Sequence, residues 1–249
     1  MNFSDAELDR YARHLVLREV GGAGQAALKA ARVVVIGAGG IGSPALQYLA
    51  AGGVGTLVVV DDDVVDASNL QRQTLFGDGD IGRPKVAAAM DAIARINPFV
   101  TVDPIALRID ANSAPAILRG ADVVVDGCDN FATRLAVADA ALKARVPLVS
   151  AAVGSFEGQL GVFRGWEPAL PCYRCLVGDD PDRADVSCAD QGVLGALTGV
   201  IGSMAALEAM RAIVGFGDDP AGKLLIADLL AFRFRTLTLV KDPGCRCAA

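Results

Sequence analysis

The residues of this 249-residue chain that could do chemistry fall into four groups. The first is the turn GAGGIGS, in which Gly37, Gly39 and Gly42 follow an apolar run and precede residues 43–51, which can form a helix. Glycines let the backbone approach a phosphate closely, and the helix start offers unpaired N–H groups and a positive dipole end to the anion. Asp61 closes the next β-branched run, 19 positions after Gly42 (61 − 42), where a carboxylate can hydrogen-bond ribose hydroxyls. This fingerprint serves NAD, FAD, S-adenosylmethionine and ATP alike, so it points to a nucleotide without naming a reaction. The bland reading is a tight strand-to-helix turn with no ligand.

The second group is SNLQRQ at 68–73, with Lys85 following at the start of a helix. Asn69, Arg72 and Gln73 can reach phosphates from a loop leaving the second strand. Lys85 sits in a first helical turn, where a cation opposes the dipole, so its placement points to neutralising an anion. A solvated polar loop is the alternative. The third group is GCDN at 127–130, which puts Asp129 at the carboxyl end of an apolar strand, where open α/β sheets bind ligands. Asp129 there is a metal or substrate ligand, or else part of an Asx turn. The fourth group is the cysteines. Cys172-x-x-Cys175 has metal-ligand spacing, and Cys245 with Cys247 could complete a four-thiolate zinc site. Cys188 lies in a polar stretch beside Asp185 and Asp190, which would raise its pKa. Cys128, next to Asp129, reads as a small half-buried filler.

The elements that must position these groups follow from the pattern. Residues 4–17 read as an amphipathic helix with a capping box at Ser4 and Glu7, carrying Arg10, Arg13 and His14, and Gly21, Gly22 and Gly24 should break it. A short helix then leads to the strand–turn–helix–strand of 33–61. Pro84 suits the first position of a helix ending before Asn97-Pro98. A strand at 100–107, a short helix at 114–119, a buried strand at 122–126, a helix at 131–144 and a strand at 146–151 complete a second repeat. Beyond residue 151 the pattern changes to an antiparallel pair at 155–164, a loop holding PCYRC, a mobile polar segment at 176–191, a helix at 193–214, and strands at 223–228 and 232–240. The expected fold is α/β, a Rossmann-like, mostly parallel sheet with helices on both faces, extended by antiparallel strands in the C-terminal half. It reads as one domain over 1–249: a helical arm at 1–30, a nucleotide-binding half at 31–151 and a partner-binding half at 152–249.

Composition narrows the function classes. Hydrophobic residues make up 53% of the chain, enough for a large core. The net charge is −6 and the 23 Lys and Arg are scattered, which argues against nucleic acid. The uncharged run 33–60 is cut by glycines and Pro44, so no membrane span is read there, and the uncharged run 192–207 reads as a buried helix. The first residues hold acids and no apolar core of a signal peptide. Six cysteines without such a segment point to a reducing, cytoplasmic setting.

Taken together, GAGGIGS, VDDDVVDASNLQRQTLF, IGRPKV, INP, DGCDN, PCYRC and the PGC tail, in this order, resemble the ThiF/MoeB/HesA family of ubiquitin-activating-enzyme-like proteins, from RYARHL at Arg10 to Cys247. Among its subgroups the chain looks most like the molybdopterin-synthase adenylyltransferases. The resemblance implies a cytoplasmic homodimer that uses ATP and Mg²⁺ to adenylate the C-terminal glycine of a small ubiquitin-like sulfur-carrier protein ending in Gly-Gly, for molybdopterin or thiamine biosynthesis, with sulfur from a separate donor protein. It implies a nucleotide site of Gly37, Gly39, Gly40, Gly42, Asp61, Asp63, Asn69, Arg72, Gln73, Lys85, Asp129 and Asn130. Within it Arg72 and Lys85 act on the phosphates and Asp129 binds Mg²⁺. Arg13 would reach across the dimer into the neighbouring site. Cys188 matches a position where some relatives link covalently to the carrier. Cys172, Cys175, Cys245 and Cys247 would hold structural Zn²⁺, although the family usually ends in CxxC where this chain has CxC. Two other readings compete: an NAD-dependent oxidoreductase, which leaves SNLQRQ and Lys85 unexplained, and a non-catalytic ATP-binding subunit, against which Arg13 and Asp129 speak.

Overall fold

The structure is a computed structural model that describes residues 3–179 and 192–248. Cys188, Asp185 and Asp190 lie outside the described residues, as does most of the polar segment expected at 176–191.

The N-terminal arm is built as its sequence dictates. Helix α1 (Asp5–Leu15) is capped by Ser4, whose hydroxyl accepts from Glu7 N, while the Glu7 carboxylate accepts from Ser4 N at 2.9 Å. Glu7 then pairs with Lys29 at 2.7 Å and ties α1 to α2 (Gly21–Ala30). The arm does break into two helices, but the break falls at 16–20, and the glycines at 21, 22 and 24 open α2. Gly24 is needed there for packing, since a Cβ would come within 2.8 Å of Val214. Tyr11 is buried under Gly53, where φ is +80° and a Cβ would strike the phenol ring. Asn97, fully buried, donates to Tyr11 Oη at 2.8 Å and to Ala50 O at 2.7 Å, locking the arm to the body.

The body follows as β1 (Arg32–Ile36), α3 (Gly42–Ala51), β2 (Thr56–Val60), α4 (Lys85–Ile96), β3 (Thr101–Ile105), α5 (Ala114–Ile117), β4 (Val123–Asp126), α6 (Phe131–Ala144) and β5 (Leu148–Val153). After these come β6 (Glu157–Phe163), α7 (Tyr173–Val177), α8 (Gly195–Val214), β7 (Lys223–Asp228) and β8 (Arg233–Thr238). The strands form one sheet in the order β3-β2-β1-β4-β5-β6-β7-β8. The first five are mutually parallel and the last three pair antiparallel.

The uninterrupted apolar runs of β1, β2 and β4 are buried on both faces, as a parallel sheet with helices on each side requires. Alternate residues serve opposite cores. Val33, Val35, Leu57 and Val59 join one cluster with α3, α4 and α8, and Val34, Ile36, Val58 and Val60 join another with α5 and α6. By length and composition α8 could cross a membrane; here Leu197, Ile201, Ala205 and Ala209 are buried in the first cluster. In place of the antiparallel pair expected at 155–164 there is the single strand β6, which pairs with β5 across a turn at Gly154 and with β7 on its other edge, and the loop expected at PCYRC contains the short helix α7. Gly158 admits α8 against this strand, since a Cβ would meet Ile201 at 2.5 Å.

Strand order reverses between β1, which leads outward to β2 and β3, and its parallel neighbour β4, which leads to β5. The connections leaving the carboxyl ends of β1 and β4 therefore run apart, and ligands of open α/β sheets bind in that crevice.

Candidate active site

A cavity of about 950 Å³ opens at this crevice. The turn after β1 forms one wall, and its glycines differ in what they do. Gly37 takes φ +84°, and a Cβ there would touch the Gly127 carbonyl. Gly42 lies so close to the Gly37 carbonyl that a Cβ would sit 1.9 Å from its oxygen. Gly40 backs onto Thr198 of α8, while a Cβ at Gly39 would meet only Gln73 Nε2, at 3.8 Å. Gly37 and Gly42 thus make the turn, and Gly39 leaves room against the cavity.

Asp61 is pinned to that turn. Its Oδ2 accepts from Ala38 N at 2.8 Å and its Oδ1 from Asp63 N at 2.9 Å. Burial pushes its carboxyl above the usual range, against the pull of the Lys85 charge and these amides. Lys85 starts α4 after Pro84 and is buried although charged. Its Nζ pairs with Asp63 Oδ2 at 2.8 Å, and its N–H donates to Asp63 O at 3.0 Å. Oxygens of Asp61, Asp62 and Asp63 lie within 4.8 Å of one another, with Arg108 on Asp62 at 3.0 Å.

SNLQRQ forms a 3₁₀ turn (Ala67–Asn69) capped by Asp66 and carries Asn69, Arg72 and Gln73 to the cavity wall. Arg72 donates to Ser68 O at 3.2 Å, and its carbonyl accepts from Thr198 Oγ1. Gln73 is buried, and its Oε1 has no hydrogen-bond partner among the described residues. An acceptor of this kind at a cavity wall calls for a ligand donor.

Across the cavity Asp129 projects from the loop after β4, exposed and without a hydrogen bond or ion pair to any described residue. Asn130 caps α6, its Oδ1 accepting from Thr133 N at 2.9 Å. Cys128 is held by its neighbours: its thiol donates to Asp126 Oδ1 at 2.8 Å, and burial with the adjacent carboxylate pushes its pKa well up. Two residues that sequence reasoning missed lie beneath, the buried ion pair Asp126–Arg134 at 3.1 Å. The available signal was an aspartate closing an otherwise apolar buried run.

Arg13 is exposed on α1 outside this cavity, making no ion pair or hydrogen bond with a described residue. The cysteines do converge. The Sγ of Cys172 lies 3.8 Å from that of Cys175 and 3.5 Å from that of Cys245, and Cys175 and Cys247 are 3.5 Å apart. All four lie within 4.8 Å of one another. A tetrahedron with metal–sulfur bonds of about 2.3 Å has edges of about 3.8 Å, so this set fits Zn²⁺. An arginine sits inside each cysteine pair, and the two meet on the same acids. Arg174 forks onto Asp139 of α6 at 2.7 and 2.8 Å, and Arg246 reaches Asp179 at 2.7 Å and Asp139 at 3.6 Å.

The pattern of the ThiF family matches residues 11–247. The chain belongs to the ThiF family. ThiF-family relatives include the SAMP-activating enzyme E1 of Haloferax volcanii, 45% identical over 98% of this chain and 90% of the relative. They also include the sulfur carrier protein adenylyltransferase of Thermus thermophilus, 46% identical over 98% of this chain and 92% of the relative. The molybdopterin-synthase adenylyltransferase of Salmonella typhimurium is 43% identical over 97% and 96%. Among solved structures, E. coli MccB with ATP shares the fold, with a TM-score of 0.80 at 20% identity, over 99% of this chain and 82% of that one.

Proposed function

We propose that this ThiF-family chain adenylates the C-terminal carboxylate of a small ubiquitin-like sulfur-carrier protein, using ATP and releasing pyrophosphate. The observation that carries the reading is the joint presence at one switch-point cavity of the glycine turn, Asp61, the Asn69–Arg72–Gln73 wall, buried Lys85 and Asp129, which has no partner among the described residues. Relatives that cover nearly the whole chain bear the names of such adenylyltransferases.

The residues suit the reaction. A terminal carboxylate is ionised at neutral pH and needs no general base, so a chain with one histidine is competent. Its oxygen attacks the α-phosphorus of ATP, the bond from that phosphorus to the bridging oxygen breaks, and pyrophosphate carries the electron pair away. Alignment and charge compensation are the work that remains for the protein. Asp61 accepts from the ribose. The glycine turn with Gly39 and Gly40 admits the phosphates, Asn69, Arg72 and the Nε2 of Gln73 donate to them, and Gln73 Oε1 is left to accept from a hydroxyl or water of the bound ligand. Lys85, exchanging Asp63 for phosphate oxygens, offsets the charge of the leaving pyrophosphate. Asp129, an oxygen donor of the kind Mg²⁺ prefers, holds that ion with Asn130 nearby, and Mg²⁺ when bound neutralises phosphate oxygens.

Arg13 enters the neighbouring subunit's site in a homodimer, which accounts for its standing free of the cavity in one chain. Zn²⁺ in the four-cysteine set staples the tail to α7. Cys188 is a candidate for a covalent link to the carrier.

The test is ATP–pyrophosphate exchange with small proteins ending in Gly-Gly. Exchange stimulated by one such protein and lost in Asp129→Ala and Lys85→Ala is the expected result; near-normal exchange in both variants would overturn the site assignment.

A further inference from the structure

In the cavity floor, which Arg134 and Ser150 line, lies a charged group to which the adenylation chemistry above gives no role. Arg134, in the first turns of α6, is 7% exposed, and Asp126, ending β4, is fully buried. Arg134 Nη1 reaches Asp126 Oδ2 at 3.1 Å and Ser150 Oγ at 3.2 Å, and Nη2 donates to Ala151 O at 2.8 Å and to Cys128 O. Asp126 Oδ1 accepts from Cys128 N at 3.1 Å and from its thiol. Residue 128 is therefore gripped on both sides, its N–H by the carboxylate and its carbonyl by the guanidinium. On the other flank Asn130 is fixed as the cap of α6. Asp129 is the one residue between two clamped neighbours.

Stability alone is a poor reason for this arrangement, because buried ion pairs can often be replaced by apolar residues at no cost. Three of these bonds meet residue 128, at its N–H, its thiol and its carbonyl, and that residue leads directly into Asp129.

The geometry points to Arg134 as a positioning residue that, with Asp126, holds the Cys128 peptide so that Asp129 faces the nucleotide in one orientation. This rests on the reading of Asp129 as the Mg²⁺ ligand. A lysine at 134 keeps the charge but cannot reach the carboxylate, the hydroxyl and both carbonyls together.

The test is ATP binding by titration calorimetry with and without Mg²⁺. In the wild type Mg²⁺ strengthens binding. Arg134→Lys cuts that gain about tenfold, the effect of losing a partner that orients a ligand, while metal-free ATP affinity stays near the wild-type value. Asp129→Asn abolishes the gain, and adding Arg134→Lys to it changes nothing more. Ser150→Ala, a milder change should Arg134→Lys fail to fold, gives a smaller loss of about twofold to fivefold in the same direction. An undiminished Mg²⁺ gain in Arg134→Lys and Ser150→Ala overturns the positioning role alone. So does a loss of equal size with and without Asp129. A wild type whose ATP binding ignores Mg²⁺ overturns the reading of Asp129, and this inference with it.

Discussion

Gly42 and Gly39 stand three residues apart in one turn, and the structure assigns them opposite roles that alanine can separate. At Gly42 the added Cβ would lie 1.9 Å from the Gly37 oxygen and 2.9 Å from its carbonyl carbon. A tolerable carbon–oxygen contact is about 3.3 Å, so backbone must move by roughly 1.4 Å (3.3 − 1.9). Neither atom belongs to a flexible side chain, and overpacking of this sort costs about 1–3 kcal/mol. For a chain of this size that is a drop in Tm of roughly 2–12 °C. The same displacement moves the cradle that aligns the α-phosphorus, and a misplacement of about 1 Å can cost about a hundredfold in rate. Gly42→Ala should therefore lose both stability and pyrophosphate exchange. At Gly39 the Cβ meets only Gln73 Nε2 at 3.8 Å, an ordinary contact, so Gly39→Ala should melt within about 0.5 kcal/mol of wild type. Its methyl group occupies the approach to the phosphates, so KM for ATP should rise by about tenfold or more, the equivalent of roughly 1.4 kcal/mol. Thermal melting and exchange kinetics on both variants decide the matter. A Gly42→Ala protein that melts like wild type, or a Gly39→Ala protein with unchanged KM, would refute the reasoning.

Removing the Lys85 charge also changes pH dependence. Burial raises the Asp61 pKa, so folding favours its protonated form: the stability Asp61 contributes is greatest below the ordinary carboxylate pKa and is lost as pH rises through the raised value. ATP binding runs the other way, because the ribose needs the ionised acceptor, and Lys85→Met should shift the acid limb of the KM profile for ATP upward in pH. Asn97→Ala strips the Ala50 carbonyl and the Tyr11 hydroxyl of their donor and should cost about 1–3 kcal/mol in denaturant unfolding, more than Tyr11→Phe. Metal analysis should find close to one Zn²⁺ per chain, and Arg246→Ala, which releases Asp179 from the tail, should weaken Zn²⁺ binding by about tenfold in a competition titration with a chromophoric chelator.

The parallel half of the fold could be read from its residues because local and global signals agree there. The apolar runs ending at Gly37 and Asp61, the helix start after Pro84 and the Asn97-Pro98 stop each carry their own chemistry, and α6 occupies the expected 131–144. The antiparallel half was harder, since the turn at Gly154 and the packing glycine at 158 look alike in sequence and only α8 tells them apart. The five-residue α7 is too short for periodicity to show. In the site, Lys85 could be picked out because a cation in a first helical turn stands against local preference, and Asn69, Arg72 and Asp129 because they sit in loops leaving the carboxyl ends of strands. Asp126 showed only as an acid closing an apolar run and Arg134 not at all, because an eight-residue separation carries no local rule and the groups they join, the Cys128 N–H and carbonyl, the Ser150 hydroxyl and the Ala151 carbonyl, are brought together by the sheet. The CxC tail looked one residue short for a metal. In the structure Cys172 and Cys175 each approach one cysteine of the tail, and Arg174 and Arg246 share the acids that hold both segments in place.

The most direct measurement is the fate of label from ATP carrying ³²P at the α or at the γ position, incubated with the chain and a carrier ending in Gly-Gly. Adenylation predicts that α label appears on the carrier, that γ label leaves as pyrophosphate, and that a carrier with an amidated C-terminus takes up neither. Transfer of γ label to the carrier, or α labelling that survives amidation, would contradict attack by the terminal carboxylate on the α-phosphorus.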